Sequence, residues 1–136
     1  MRARLTKSAD LFIITYNCID VKSFEDVWKM WLPEIYRNTS SSGEMDLYTI
    51  NRPIILLSTN IDLRRDSFEQ RAMLWHLKTK PITFHQGETL ARKLGCVTFV
   101  ETCPIKGVGL NDLAELVVKG VALSKRDTTD DLCSVQ

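Results

Sequence analysis

The sequence has no paired-cysteine motif, no long apolar run and almost no excess of either charge. Its four cysteines, Cys18, Cys96, Cys103 and Cys133, are scattered through 136 residues with no CxxC spacing. That pattern argues against a zinc site and a disulfide framework, and for reduced thiols in an intracellular, cytoplasmic setting. The histidines, His76 and His85, are too isolated to complete a metal centre, so no metal ligands are assigned. A net charge of +1 gives no electrostatic case for nucleic acid. No segment has the length of a membrane span, and MRARLTKSAD lacks the apolar core of a signal peptide.

What is present reads as one soluble globular domain: 44% of residues are hydrophobic and 26% charged, both ordinary values. Leu11 to Tyr16 is a short β-rich apolar run, continuous enough for a strand covered on both faces. Ser23 with Asp26 suggests a helix start. Phe24, Val27, Trp28, Trp31, Leu32 and Ile35 follow at helical spacing, and Pro33 implies a kink or early end. The Trp28/Trp31 pair reads as core or helix-packing surface rather than a stacking platform for a ligand. Pro53 to Thr59 is a second buried strand and Val97 to Glu101 a third. Helices are expected over Asp66–Leu77, His85–Leu94 with Gly95 as its terminal glycine, and Gly109–Leu123. The inner face of the last helix is assigned to Leu110, Leu113, Leu116, Val117 and Val121. Strands alternating with helices predict an α/β fold with parallel β-α-β units. In such sheets ligands sit beyond the carboxyl ends of the strands. Two such ends are Ser58-Thr59-Asn60-Ile61-Asp62-Leu63 and the loop from Glu101 to Leu110. A carboxylate such as Asp62 can accept two parallel hydrogen bonds, which suits the adjacent ring N–H and amine of guanine. An aspartate after a strand is more often only a turn residue.

From Arg4 to Ala122 the chain resembles the C-terminal part of a Rho-type small GTPase. The stretches that carry the likeness are Ala9-Asp10-Leu11-Phe12, Ser23 to Val27, Trp31-Leu32-Pro33-Glu34, Pro53 to Leu56, Asp62-Leu63-Arg64 and Gly107 to Leu110. Residues from Asp66 to about Leu77 fall where that subfamily carries an insert helix, and Pro81-Ile82-Thr83 leads on to Gln86-Gly87 as it does there. The resemblance implies a three-layer partial small-GTPase (P-loop NTPase) fold spanning 1–123, with three parallel strands, and a flexible tail over 124–136. It also implies GTP or GDP with magnesium as ligands, GTP hydrolysis as the family's activity, and Rho-type regulators or effectors in cytoskeletal signalling as partners.

The departures bear on function. The family's phosphate loop, GxxxxGK[ST], occurs nowhere in the chain, nor does its DxxG segment or switch threonine. The expectation is a truncated member unable to bind or hydrolyse GTP alone. In the base-reading motif, Thr59-Asn60-Ile61-Asp62 keeps the aspartate, but Asn60 replaces the lysine that packs along base and ribose. Cys103-Pro104 replaces a Ser-Ala pair. By resemblance the alanine N–H donates to the guanine carbonyl; proline has no N–H, and losing that bond costs about 1–3 kcal/mol. Cys103 is a weaker donor than serine for holding the loop against Asp62. The Ser-rich stretch Asn38 to Arg52 reads as a neutral spacer in preference to a phosphorylation or partner segment.

The chain ends Cys133-Ser134-Val135-Gln136, a C-a-a-X pattern with the last residue of a farnesylated protein. Prenylation at Cys133 is expected. Lys125-Arg126 is a short basic pair opposed by Asp127, Asp130 and Asp131, so membrane attachment is expected to be partial and reversible, at the cytoplasmic face of the plasma membrane. Three readings remain open: a degenerate member of the family, a true switch whose first half lies outside this chain, or a prenylated interaction module that offers its insert helix and Ser-rich loop to partners without nucleotide. With the family's phosphate-loop strand absent, Leu11–Tyr16 is expected to form an open edge and the isolated chain to be marginal or molten.

Overall fold

A computed structural model describes the backbone over 2–39, 52–64 and 68–134, and side chains over 4–39, 52–64 and 71–122. Most of the Ser-rich stretch lies outside the described residues. The elements run α1 (Arg2–Ser8), β1 (Phe12–Asn17), α2 (Val21–Asp26), a π-turn (Val27–Trp31), α3 (Leu32–Thr39) and β2 (Ile54–Thr59). A 3-10 turn (Ile61–Arg64) leads to α4 (Phe68–His76), α5 (Phe84–Lys93) and β3 (Thr98–Glu101), and a second 3-10 turn (Pro104–Lys106) to α6 (Leu110–Ser134).

The three strands form one parallel sheet in the order β1-β2-β3. β2 is central, and Ile54 to Ser58 are all buried. Its period-2 alternation divides the core. Ile54 and Leu56 join Ile14, Tyr16, Val27, Leu32, Ile35 and Ala91 on the side of α2, α3 and α5. Ile55 and Leu57 face the other way with Val100, against Leu113, Leu116 and Val117 of α6. The result is the three-layer α/β arrangement expected from the alternation of elements.

Several local expectations need correction. β1 is not covered on both faces: Ile14 and Tyr16 are buried while Ile13 and Thr15 are exposed. A continuous apolar run cannot report which face lacks a neighbour. α2 starts earlier than Ser23, because Asp20 is the cap and its carboxylate accepts from the Ser23 N–H. The Ser23 hydroxyl instead accepts from the Asn17 N–H at 3.0 Å and donates to the Asp20 carbonyl at 2.8 Å, which ties the helix to the end of β1.

Pro33 ends nothing. The Leu32 N–H reaches back to the Val27 carbonyl in a wide turn, and α3 carries on with the proline at its second position, where a missing N–H is tolerated. Trp28 and Trp31 lie at the surface rather than in the core, 36% and 37% exposed, with Trp28 edge-on to Phe24. Leu110 is also exposed and does not share the inner face of α6. That helix does not stop near Leu123 but continues to Ser134. α5 ends before Gly95, which takes the left-handed conformation expected of its terminal glycine, but it begins at Phe84, on a capping box of Thr83 and Gln86 that is not among the expected helix signals.

Candidate functional site

At the carboxyl ends of β1, β2 and β3 three loops converge. β2 finishes at Thr59, whose hydroxyl donates to the Tyr16 carbonyl at 3.2 Å. Asn60 follows with φ 58, a left-handed conformation that asparagine enters more readily than most side chains. This is a role for Asn60 that its shortness beside a base does not suggest. Its carbonyl accepts from the Cys18 thiol at 3.2 Å and from the Leu63 N–H at 3.0 Å. Asp62 lies in the 3-10 turn Ile61–Arg64, part-buried.

The facing loop begins after β3. Cys103 is 2% exposed, and its thiol donates to the Asp62 Oδ1 at 3.3 Å. Cysteine therefore occupies the holding position assigned to it from the sequence. Reciprocal backbone bonds between Cys103 and Val108, 3.1 and 3.2 Å, close the loop around Pro104–Lys106. Gly107 turns the chain at φ 69. At Gly109 a Cβ would stand 2.3 Å from the Glu101 carbonyl oxygen, so only glycine fits. Pro104 is the first residue of its turn, the position where a missing N–H leaves no helical bond unmade.

Beneath the two loops lies a polar cluster that the sequence did not reveal. Arg64 Nη1 stands 2.6 Å from Glu101 Oε1, and both side chains are about four-fifths buried (22% and 17% exposed). The contact is close but poorly directed: Glu101 Oε1, Arg64 Nε and Nη2, Tyr16 OH and Ser58 Oγ have no hydrogen-bond partner among the described residues. Burial pushes the Tyr16 phenol up to about 12 and raises the Cys18 thiol above its ordinary value. Gly87 of α5 lets Tyr16 in, since a Cβ there would meet its hydroxyl at 2.3 Å and Phe99 Cζ at 2.4 Å. Pairs such as Arg64–Glu101 and Cys18–Asn60 are dozens of residues apart, and no local pattern signals them.

The structure thus brings Thr59, Asn60, Asp62, Cys103 and Pro104 to one end of the sheet, joined through the thiol and through Ile61 N–H to the Thr102 carbonyl at 3.5 Å. Cys133 is not among them; it falls in α6, and its side chain is outside the described residues. A nucleotide with magnesium would need a phosphate cradle as well as a base loop. Among the sequence-assigned residues only the base loop is represented, so the fit is partial.

The Ras family model matches residues 1–122 of the chain. Taken with a parallel three-stranded sheet flanked by helices, this places the chain in the Ras family of small GTPases.

Proposed function

We propose that the chain is a Rho-type member of its family that keeps the form of the guanine loop without holding GTP or GDP. The observation that carries this reading is the pairing of Asp62 with Cys103 directly before Pro104. The carboxylate that would read the base is held by a thiol at 3.3 Å, which keeps the form of the loop. The next residue has no N–H for the base carbonyl. Nothing in the sequence supplies the lysine and backbone cradle that bind a triphosphate, so no hydrolytic step is assigned to these residues. A lone carboxylate then recognises a purine edge with only the free energy of its own hydrogen bonds.

Signalling through Rho-type regulators or effectors, independent of nucleotide, is the corresponding cellular role. Farnesylation of Cys133 would give weak attachment to the cytoplasmic face of the plasma membrane. Labelling with a farnesyl analogue in cells checks that attachment, which fails if Cys133→Ser changes nothing. The nucleotide reading is checked by titrating the full chain with labelled GDP and magnesium, where no saturation is expected below high micromolar concentration. A parallel titration with guanosine, followed by amide chemical shifts, should show Pro104→Ala binding roughly 5- to 150-fold more tightly, the equivalent of one restored hydrogen bond of about 1–3 kcal/mol. Nanomolar GDP affinity in the unaltered chain would refute the proposal.

A further inference from the structure

The end of α4 leaves a large aromatic side chain in water. Trp75, in the last turn of the helix, is 84% exposed, and Leu77, just past its end, is 57% exposed. A cavity of about 590 Å3 opens beside Trp75, lined by Arg71, Leu74, Trp75, Lys78, Thr79 and Lys80. Three of these side chains are cationic, and among the described residues no carboxylate lines the cavity. An indole in water is a large unburied apolar area, and tryptophan flanked by basic residues is the composition of binding hot spots.

The backbone here is built to hold that arrangement. The Thr79 N–H returns to the Leu74 carbonyl at 3.2 Å and the Lys78 N–H to the Trp75 carbonyl at 3.2 Å, the bonding of a Schellman cap. Position 78 is where such a cap usually carries glycine, yet it holds a lysine at φ 50. A side chain in that conformation is strained, and the strain is retained only where something else fixes it. Thr79 is fixed from the other side as well, donating to the Ile19 carbonyl at 3.0 Å. Lys78 and Lys80 therefore flank an apolar cavity on a rigid base.

We propose that this cavity docks an acidic segment of a partner protein, with one apolar or aromatic side chain entering against Leu74 and Trp75 and flanking carboxylates meeting Lys78 and Lys80. Charge complementarity selects the acidic partner. A cavity with an apolar lining and cationic residues suits a peptide better than a flat lipid surface. The proposal gives the interaction reading a partner chemistry, and it is unaffected by whether guanosine binds at the other end of the sheet.

The test uses the full chain and a short labelled peptide of alternating glutamate and leucine around one tryptophan, followed by fluorescence anisotropy. Saturable binding that weakens with added salt is expected, with little binding of a control peptide in which lysine replaces glutamate. Trp75→Ser should weaken it by about tenfold, and Lys78→Glu with Lys80→Glu should abolish it. Lys78→Gly separates docking from folding, because glycine relieves the left-handed position: the melting temperature should hold or rise while affinity falls. Equal binding of both peptides, variants that bind like the parent, or no binding of the acidic peptide would overturn the proposal. So would Trp75-dependent partition onto phosphatidylserine vesicles without peptide binding.

Discussion

Tyr16 shows how one side chain links the core to the loops above it. Its ring is 2% exposed and packs against Phe24 and Phe99, with ring centroids 4.9 and 6.5 Å away. Its hydroxyl ends among Ser58, Arg64 and Glu101 without a hydrogen-bond partner among the described residues. Burial raises the phenol from 10.0 to about 12, so the folded state keeps its proton where the unfolded chain loses it. The sign follows directly. The contribution is complete below pH 10, and stability falls as pH rises from 10 towards 12 because the unfolded state then binds fewer protons. Cys96, raised by burial from 9.0 to about 11, acts in the same direction in a slightly lower window. Tyr16→Phe removes the titration together with an unpaired buried hydroxyl. It should leave neutral-pH stability within about 1 kcal/mol of the parent or increase it. It should also move the alkaline unfolding midpoint upward in pH-dependent urea melts. An unchanged alkaline midpoint would mean that the phenol is not what titrates there.

At the scale of elements, β1 is an edge of the sheet, as β3 is on the other side of β2. Its N–H at Phe12 bonds the Pro53 carbonyl and the N–H of Cys18 bonds that of Thr59, so the even-numbered residues face β2. The outward groups of Ile13 and Thr15 meet no strand among the described residues, and Ile13 is 41% exposed. An apolar edge of this kind is a template for pairing with another chain. Ile13→Lys places a charge on that edge at a surface site, where substitutions change stability by about 0.5 kcal/mol or less. Light scattering of concentrated protein should fall for the variant while its melting temperature stays near that of the parent; unchanged scattering would place the association elsewhere. The elements themselves were largely legible. An apolar run before a polar loop announces β2, and Gly95 announces the end of α5. The open face of β1 was not legible, since whether Ile13 is covered depends on what lies beside it and not on Ile13.

The molecule as a whole depends on β2. Leu56 is 0% exposed on one side of the sheet and Ile55 1% exposed on the other, so a single strand supplies both halves of the core. Leu56→Ala removes packing from α2, α3 and α5 together, at a cost of about 2–5 kcal/mol. That is comparable to the lower end of the total stability of a small domain, about 5 kcal/mol. Thermal unfolding of the variant, followed by near-ultraviolet circular dichroism, should be broad or already complete at physiological temperature. A sharp transition near that of the parent would show that the two halves are less dependent on β2 than their shared strand implies.

Periodicity and end signals, which are properties of neighbouring residues, were enough to set the alternation of strands and helices, the buried second strand and the loop that carries Asp62. Tertiary structure alone decided that Cys18 secures Asn60, that Arg64 faces Glu101 and that Trp75 is left in water beside Lys78. The reason is range. A helix or strand is stabilised by bonds a few residues apart and so is written locally. Contacts between loops depend on where separate elements end in space, and a side chain's burial depends on what the fold places over it.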